Sequence, residues 1–220
     1  RGCGPTFRRY LSPMSDRQNS VAELPRTVAG EGTIVVTSPA TGKQLGQVRS
    51  FGVDAARAAI ERARAAQRRW EAVGLEHRVG VIERFRDVLL DRADEVCRLL
   101  SAENGKVLQE SLQMEVFPVA DLADYFARNA ARILGRRSIP LHLLRHRRSY
   151  LHHRPRGVVL VISPWNYPLS IPFGEVVMAL LAGNAVVLKP ASLTPLIALK
   201  GRELFDEAGL DADLFQVLPC

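Results

Sequence analysis

Gly157-Val-Val-Leu-Val-Ile-Ser-Pro-Trp-Asn-Tyr-Pro168 and, one apolar segment later, Ala182-Gly-Asn-Ala-Val-Val-Leu-Lys-Pro190 decide how this chain folds. Val158–Ile162 is an unbroken apolar run of strand length, the pattern of a strand covered on both faces. Leu169–Leu181 reads as a mostly apolar helix, Gly183-Asn184 as a turn and Ala185–Leu188 as a second buried strand. Thr194–Ala208 follows as a helix, with Thr194 or Ser192 as its cap and Pro195 in its first turn. Gly209 ends it, and Leu214–Leu218 supplies a third strand. Short strands alternating with helices predict a parallel sheet with right-handed crossovers. Such sheets bind ligands at the carboxyl ends of their strands. Asn166 and Lys189 both fall there.

Two prolines, Pro164 and Pro168, flank Trp165-Asn166-Tyr167 directly after the first strand, so the backbone has little freedom. The amide of Asn166 can donate to an oxygen that becomes negative during a reaction, worth about 3 kcal/mol when preorganised. The same side chain can simply close the turn through a bond to the backbone, and spacing alone favours that role. Trp165 fits a core position or a ligand contact. Lys189 can hold a ribose hydroxyl or a phosphate, or it can be an ordinary lysine with a buried stem and a solvated head. Ser192 adds a small hydroxyl, and no carboxylate lies within Lys189–Ser192 to repel an anion. No Gly-x-Gly-x-x-Gly follows any strand and no P-loop is present, so the usual nucleotide fingerprints are missing.

Upstream, Thr33–Thr37 and Gln44–Val48 form an edge hairpin around Ser38-Pro-Ala-Thr-Gly42. A helix over 53–70 places Val53, Ala56, Ile60, Ala63 and Trp70 on one face. Arg57, Arg64 and Arg68 lie off that face; Glu61 and Glu71 interrupt them, which argues for solvation over DNA binding. A second helix over 76–103 carries Ile82, Phe85, Leu89, Ala93, Val96 and Leu100 on one stripe, and Asn104-Gly105 stops it. A third, over 107–134, carries Leu112, Val116, Val119, Leu122, Ala123, Phe126 and Ala130, with Pro118 expected to kink or divide it.

Between Arg136 and Arg156 stand seven Arg, four His and no acid. A solvated hairpin, a nucleic-acid contact and a metal held by His142 and His146 all compete. Pro140 argues against the helix that would face the two histidines together, and no Cys or carboxylate completes a ligand set. Aromatics other than Tyr150 are lacking for nucleic acid. An extended hairpin with arms 139–144 and 150–153, of the kind that pairs with another subunit, fits best.

The chain's 220 residues, 47% of them hydrophobic, are enough to bury a sizeable core. A formal charge of +7 and a pI near 9.8 bear on solubility and attraction, not on fold. Cys3, Cys97 and Cys220 form neither a disulfide framework nor a metal spacing, which points to a reducing, cytoplasmic setting. Cys97 reads as a buried structural thiol, and Cys220 has nothing nearby to lower its pKa. No apolar run approaches the roughly 18 residues of a transmembrane helix. The first residues lack an apolar signal core. Met14 fits a start codon, with residues 1–13 read from upstream, and residues 1–30 are expected to be disordered or extraneous.

Taken together, these residues resemble the aldehyde dehydrogenase superfamily. The resemblance rests on Pro164-Trp-Asn-Tyr-Pro-Leu169 and Ala182-Gly-Asn-Ala-Val-Val-Leu-Lys-Pro-Ala191, at the family's spacing. Ser38-Pro-Ala-Thr-Gly42, Glu103-Asn-Gly-Lys106 and Gly209–Pro219 are looser matches, and the similarity runs from Thr33 to Pro219. It implies an α/β, Rossmann-like parallel sheet with N-terminal helices and an extended oligomerisation hairpin: an incomplete aldehyde dehydrogenase fold. The implied division is residues 31–135 for the helical part of a cofactor domain, 136–156 for the oligomerisation hairpin and 157–220 for the Rossmann-like part. The family oxidises aldehydes with NAD or NADP through a cysteine thiohemiacetal and thioester. By position, Asn166 would be the side-chain half of the oxyanion hole. Lys189 would bind the adenosine ribose, and Ile162, Ser163, Pro164 and Trp165 would line the cofactor cleft. Ser192 stands where many NAD-preferring members carry Glu, leaving room for a 2′-phosphate. Cys220 stands where the family usually has Gly.

The family's second glycine motif, glutamate base and nucleophilic cysteine are expected downstream of residue 220. The chain is thus expected to be the N-terminal portion of such an enzyme and inactive by itself. The alternative is a non-catalytic remnant, or an oligomerisation module of the same fold. Expected partners are a small aldehyde and, for the full-length protein, copies of itself in a dimer or tetramer, with no nucleic acid, membrane or metal.

Overall fold

The computed structural model describes residues 32–143 and 145–220. The expectation for residues 1–30 therefore lies outside the described residues, as does Leu144 at the tip of the expected hairpin arm. β-Branched residues open the fold as a hairpin, β1 (Gly32–Thr37) and β2 (Gln44–Ser50), with a register shift between Val36 and Thr37. Gly42 closes its turn at φ 67°, in the left-handed region where glycine carries no steric penalty. The Phe51 N–H donates to the Pro219 carbonyl at 2.8 Å, fastening the hairpin to the far end of the chain.

Helix α1 (Val53–Ala72) buries Ala59, Ala63, Ala66, Gln67 and Trp70. The expected stripe is therefore rotated: Ala63 and Trp70 belong to it, whereas Val53 is exposed. Small alanines win the inner face because α1 lies against the sheet, where a slim face allows close approach. The expected 76–103 helix is divided into α2 (Leu75–Asp91) and α3 (Ala93–Asn104) at Arg92, whose backbone leaves the helical region (φ −102°, ψ 17°). No glycine or proline marks that break. Its correlate is tertiary: the Arg92 guanidinium donates to Glu95 beside it and to Glu203 and Glu207 across the fold, at 2.7 to 2.9 Å. The apolar stripe survives the break, with Ile82, Phe85, Leu89, Ala93, Val96 and Leu100 all buried.

The third expected helix is also divided, as Pro118 suggested. A short α4 (Leu108–Ser111) runs into a π-turn, Leu112–Val116, and α5 (Phe117–Leu134) begins with Pro118 in its first turn. There the missing proline N–H costs nothing, and the wider π-turn carries Glu115 and Val116 into the interior.

The basic segment is a hairpin, with β3 (Arg137–Ile139) antiparallel to β4 (Ser149–Leu151). Pairing sits nearer the base than the expected arms, and the Arg136 guanidinium stacks 3.7 Å from the Tyr150 ring centroid. A stacked cation at the base favours that register. Among the described residues no cluster of His, Cys, Asp and Glu could hold a metal, and no helix is long and apolar enough to cross a membrane.

The last third is the expected parallel sheet, in the order β5 (Val158–Ile162), β6 (Ala185–Lys189), β7 (Phe215–Val217), joined by α6 (Ser170–Leu181) and α7 (Pro195–Glu207). Strand β6 is buried, but β5 is not covered on both faces: Leu160 and Ile162 are 63% and 68% exposed while Val161 is buried. Side chains alternate along a strand, and among the described residues nothing covers the face that Leu160 and Ile162 share. Phe85, Phe173, Phe205 and Phe215 form the aromatic centre, with the Phe85 and Phe205 rings stacked at 3.7 Å. Gly201 makes room for it, because a Cβ there would lie 2.0 Å from the Phe173 ring.

Both crossover helices are closed at both ends by side chains from the N-terminal layer. Glu115 accepts from the Leu169 and Ser170 N–H groups at the start of α6 (3.1 and 2.7 Å). Gln67, Trp70 and Arg78 donate to the Gly183, Leu180 and Leu181 carbonyls at its end (2.9 to 3.0 Å). Glu103 accepts from Leu196 and Ile197 at the start of α7 (2.6 and 2.9 Å), and Arg84 donates to the Ala208 carbonyl at its end (2.9 Å). Acids thus meet the positive ends of the helix dipoles, and donors, two of them arginines, meet the negative ends. The expected cap from Thr194 or Ser192 is not formed: neither side chain bonds the helix start, and the buried Thr194 hydroxyl has no partner among the described residues. A carboxyl group arriving from another helix offers two oxygens where a hydroxyl would offer one.

Candidate functional site

The register of β5 against β6 sets the site. Ile162 pairs directly with Lys189, so the two strands end side by side. The Ser163 N–H then donates to the Lys189 carbonyl at 3.1 Å, extending the ladder by one rung before Pro164 ends it. Everything from Pro164 to Pro168 on one side, and from Pro190 to Ser192 on the other, therefore lies at the carboxyl edge of the sheet.

At that edge, Trp165 and Asn166 are exposed. The Asn166 carboxamide makes no hydrogen bond among the described residues, so the turn-closing role is not the one it plays. What holds the turn is its backbone. Asn104 Nδ2 donates to the Trp165 carbonyl at 2.7 Å, and Lys106 Nζ donates to the Asn166 carbonyl. Lys106 also pairs with Glu115 at 2.7 Å and sits 4.3 Å from the Tyr167 ring centroid. The turn is clamped from outside, and its one amide is left facing solvent.

Lys189 is half-buried, and among the described residues its ammonium donates to the neighbouring Pro190 carbonyl, at 3.1 Å. Ser192 is exposed and donates to the Cys220 carbonyl at 3.2 Å. The buried Ser163 hydroxyl has no partner among the described residues. An exposed apolar surface (Ile162, Trp165), a cation (Lys189) and unpaired polar groups thus lie together at one strand edge. Ile162, Ser163, Pro164, Trp165 and Asn166 share that edge with Lys189, and Ser192 lies just beyond Pro190.

Three residues that sequence reasoning passed over complete the setting. Asn184, read only as a turn, accepts from the Arg156 and Gly157 N–H groups at 2.6 and 3.0 Å and donates to the Ala179 carbonyl at 3.1 Å. It fixes the entry to β5. Lys106 and Glu103 belong to the Glu103-Asn-Gly-Lys106 quartet, whose positions gave a signal but no role. Burial pushes the Glu103 carboxyl up to about 8, against the pull of its two backbone N–H bonds. Of the cysteines described, Cys97 is buried and its thiol is pushed up to about 12 by that burial and by Asp94, which makes it structural. Cys220 is exposed.

Comparisons with known proteins identify the family. The model of the aldehyde dehydrogenase family matches residues 27–220. Human succinate-semialdehyde dehydrogenase, mitochondrial, is 35% identical over 195 residues, covering 89% of this chain and 36% of its own length. The crystal structure of an Escherichia coli NADP dependent enzyme superposes with a TM-score of 0.80 at 35% identity, covering 86% of this chain and 38% of its own. Pseudomonas sp. WBC-3 PnpE in complex with nicotinamide adenine dinucleotide superposes with a TM-score of 0.80 at 31% identity, covering 88% of this chain and 39% of its own. The chain spans little more than a third of the length of these relatives. With its parallel sheet, its clamped Pro-Trp-Asn turn and a matching family model over nearly its whole length, the chain belongs to the aldehyde dehydrogenase family.

Proposed function

We propose that these residues form the cofactor-binding and oxyanion-stabilising portion of an NAD(P)-dependent aldehyde dehydrogenase. The observation that carries this reading is the solvent-facing, unpartnered carboxamide of Asn166 at the end of β5, one strand away from Lys189. An amide held on a rigid turn with no internal bond to give up is preorganised to donate to a developing oxyanion. The edge also fits a nucleotide: Lys189 can donate to a ribose hydroxyl, and Ile162 and Trp165 offer apolar surface. The unpartnered Ser163 hydroxyl is a polar group still to be satisfied. A bound nicotinamide cofactor would supply the hydride acceptor. Asn166 would stabilise the oxygen of the carbonyl under attack, Lys189 and Ser192 would hold the adenosine side, and Pro164 fixes the start of the turn that carries Asn166.

The thiol that attacks the carbonyl is assigned to further sequence of the full-length protein. Among the described residues Cys97 is buried with its thiol pushed the wrong way, and Cys220 is exposed, its carbonyl accepting from Ser192. The exposed hairpin of β3 and β4 is assigned to subunit pairing. The small Ser192 side chain leaves space for a 2′-phosphate, so NADP is accepted.

Calorimetric titration of the purified chain with NADP and NAD tests the reading. Binding is expected, with Lys189→Ala weakening it about tenfold or more, the worth of one charge-assisted hydrogen bond. Ser192→Glu should discriminate against NADP by a further tenfold through like-charge contact with the 2′-phosphate. No binding of either nucleotide, or an unchanged ratio in Ser192→Glu, would sink the assignment. The same chain mixed with aldehyde and cofactor is expected to form no NAD(P)H.

A further inference from the structure

The turn that presents Asn166 has no internal bond from that side chain, so something else must fix its direction. The groups in place come from the α3–α4 connection, about sixty residues earlier in the chain. Asn104 holds the Trp165 carbonyl and Lys106 holds the Asn166 carbonyl. The Lys106 side chain is 8% exposed, and its partner Glu115 is fully buried. Glu115 spends its other oxygen on the Leu169 and Ser170 N–H groups. One carboxylate therefore fixes both the start of α6 and the ammonium that grips the turn. The Tyr167 ring, 4.3 Å from Lys106 Nζ, packs over that ammonium.

We infer that Lys106, locked by Glu115, is a positioning residue for Asn166: it sets the Asn166 peptide and so aims the carboxamide at the oxyanion. The inference rests on the oxyanion role proposed above for Asn166. The geometry argues for a specific function over general stability. Lys106 grips the peptide that follows the Asn166 Cα, as Asn104 grips the one that precedes it, and its bonds go to this turn and to Glu115 rather than to the sheet. A buried ammonium also costs desolvation, which a packed apolar side chain at the same place would avoid. Oxyanion donors are geometrically demanding, and a displacement of about 1 Å costs on the order of a hundredfold in rate.

A double-mutant cycle in the full-length protein tests this, read as aldehyde-dependent NAD(P)H formation. Asn166→Ala is expected to lower kcat/KM for the aldehyde by roughly a hundredfold or more, the usual cost of an oxyanion donor. Lys106→Met is expected to lower it by about tenfold to a hundredfold in wild type, but by less than about threefold in the Asn166→Ala background, with the nucleotide KM within about twofold throughout. Lys106→Arg, which keeps the charge and the donors, should recover most of the loss. If Lys106→Met leaves Glu115 uncompensated and the protein fails to fold, Lys106→Met/Glu115→Gln removes both charges together and takes its place. An equal loss in both backgrounds, or no loss in wild type, overturns the positioning role. A neutral Asn166→Ala instead overturns the oxyanion reading itself, which separates the two failures.

Discussion

Replacing Glu103 by Gln turns a titrating helix cap into one that cannot titrate, and the difference should appear as a change in how stability follows pH. Glu103 is buried and accepts from Leu196 at 2.6 Å and Ile197 at 2.9 Å. Burial pushes its carboxyl from the ordinary 4.5 up to about 8. A folded-state pKa above the unfolded one means that the folded chain keeps a proton the unfolded chain has released. Stability contributed by this group is therefore complete below about 4.5 and is lost as pH rises towards 8. At about 1.4 kcal/mol per pKa unit, the window is worth up to roughly 5 kcal/mol. Gln keeps one carbonyl acceptor and sets an NH₂ against the other N–H, a cost of about 1–3 kcal/mol that does not vary with pH. Urea unfolding followed by circular dichroism, at constant ionic strength from about pH 5 to about pH 8, measures both curves. Wild type should lead Glu103→Gln at the acid end, and its lead should shrink steadily and reverse. Groups elsewhere titrate equally in the two proteins and cancel in the difference. A gap that stays constant across the range would refute the argument.

Gly201→Ala places a Cβ 2.0 Å from the Phe173 ring. It should destabilise by about 1–3 kcal/mol or more, seen as a lower melting temperature, with nucleotide affinity retained in the fraction that folds. Lys200→Met removes a buried ammonium that pairs with Glu95 at 2.8 Å and Glu203 at 2.7 Å. Arg92 still serves both carboxylates, so a loss of roughly 1–3 kcal/mol in urea unfolding is expected. Burial raises the Glu95 carboxyl, but its bonds from Arg92 and Lys200 outweigh that and hold it below the ordinary range. The stabilisation is present above the ordinary carboxylate pKa and is lost on acidification, so Lys200→Met should lose less stability than wild type as the solution is made acidic.

The sheet was legible because its signals are local. Val158–Ile162 and Ala185–Leu188 are unbroken apolar runs, and Gly183 and Gly209 stop the helices that follow each of them. The division at Pro118 was legible for the same reason: a missing N–H is visible in one letter. The break at Arg92 was not, because its partners Glu203 and Glu207 lie more than a hundred residues away and sequence periodicity runs straight through it. The open face of β5 misled in the opposite direction, since an apolar run looks the same whether one face or both are covered. Asn166 and Lys189 could be named from their place at strand ends, yet what holds Asn166 could not. The clamp is built from backbone carbonyls, which carry no sequence signature, and from Asn104 and Lys106, which stand next to a helix stop and read as punctuation. The same holds for the caps. Thr194 has the right chemistry in the right place, but Glu103 arrives from another helix and displaces it.

The closure of α6 and α7 by residues that precede them has a consequence for the order of assembly. Every one of the capping side chains, from Gln67 to Glu115, is synthesised before the first residue of α6. In the folded chain the first half therefore forms a mould for the second. Each crossover helix meets acids and donors spaced for its two ends, and a helix one turn out of register would find neither. The mould selects register in helices whose own apolar sequences specify it weakly: α6 in particular, apolar almost all the way round, has few features of its own by which to tell one alignment from the next.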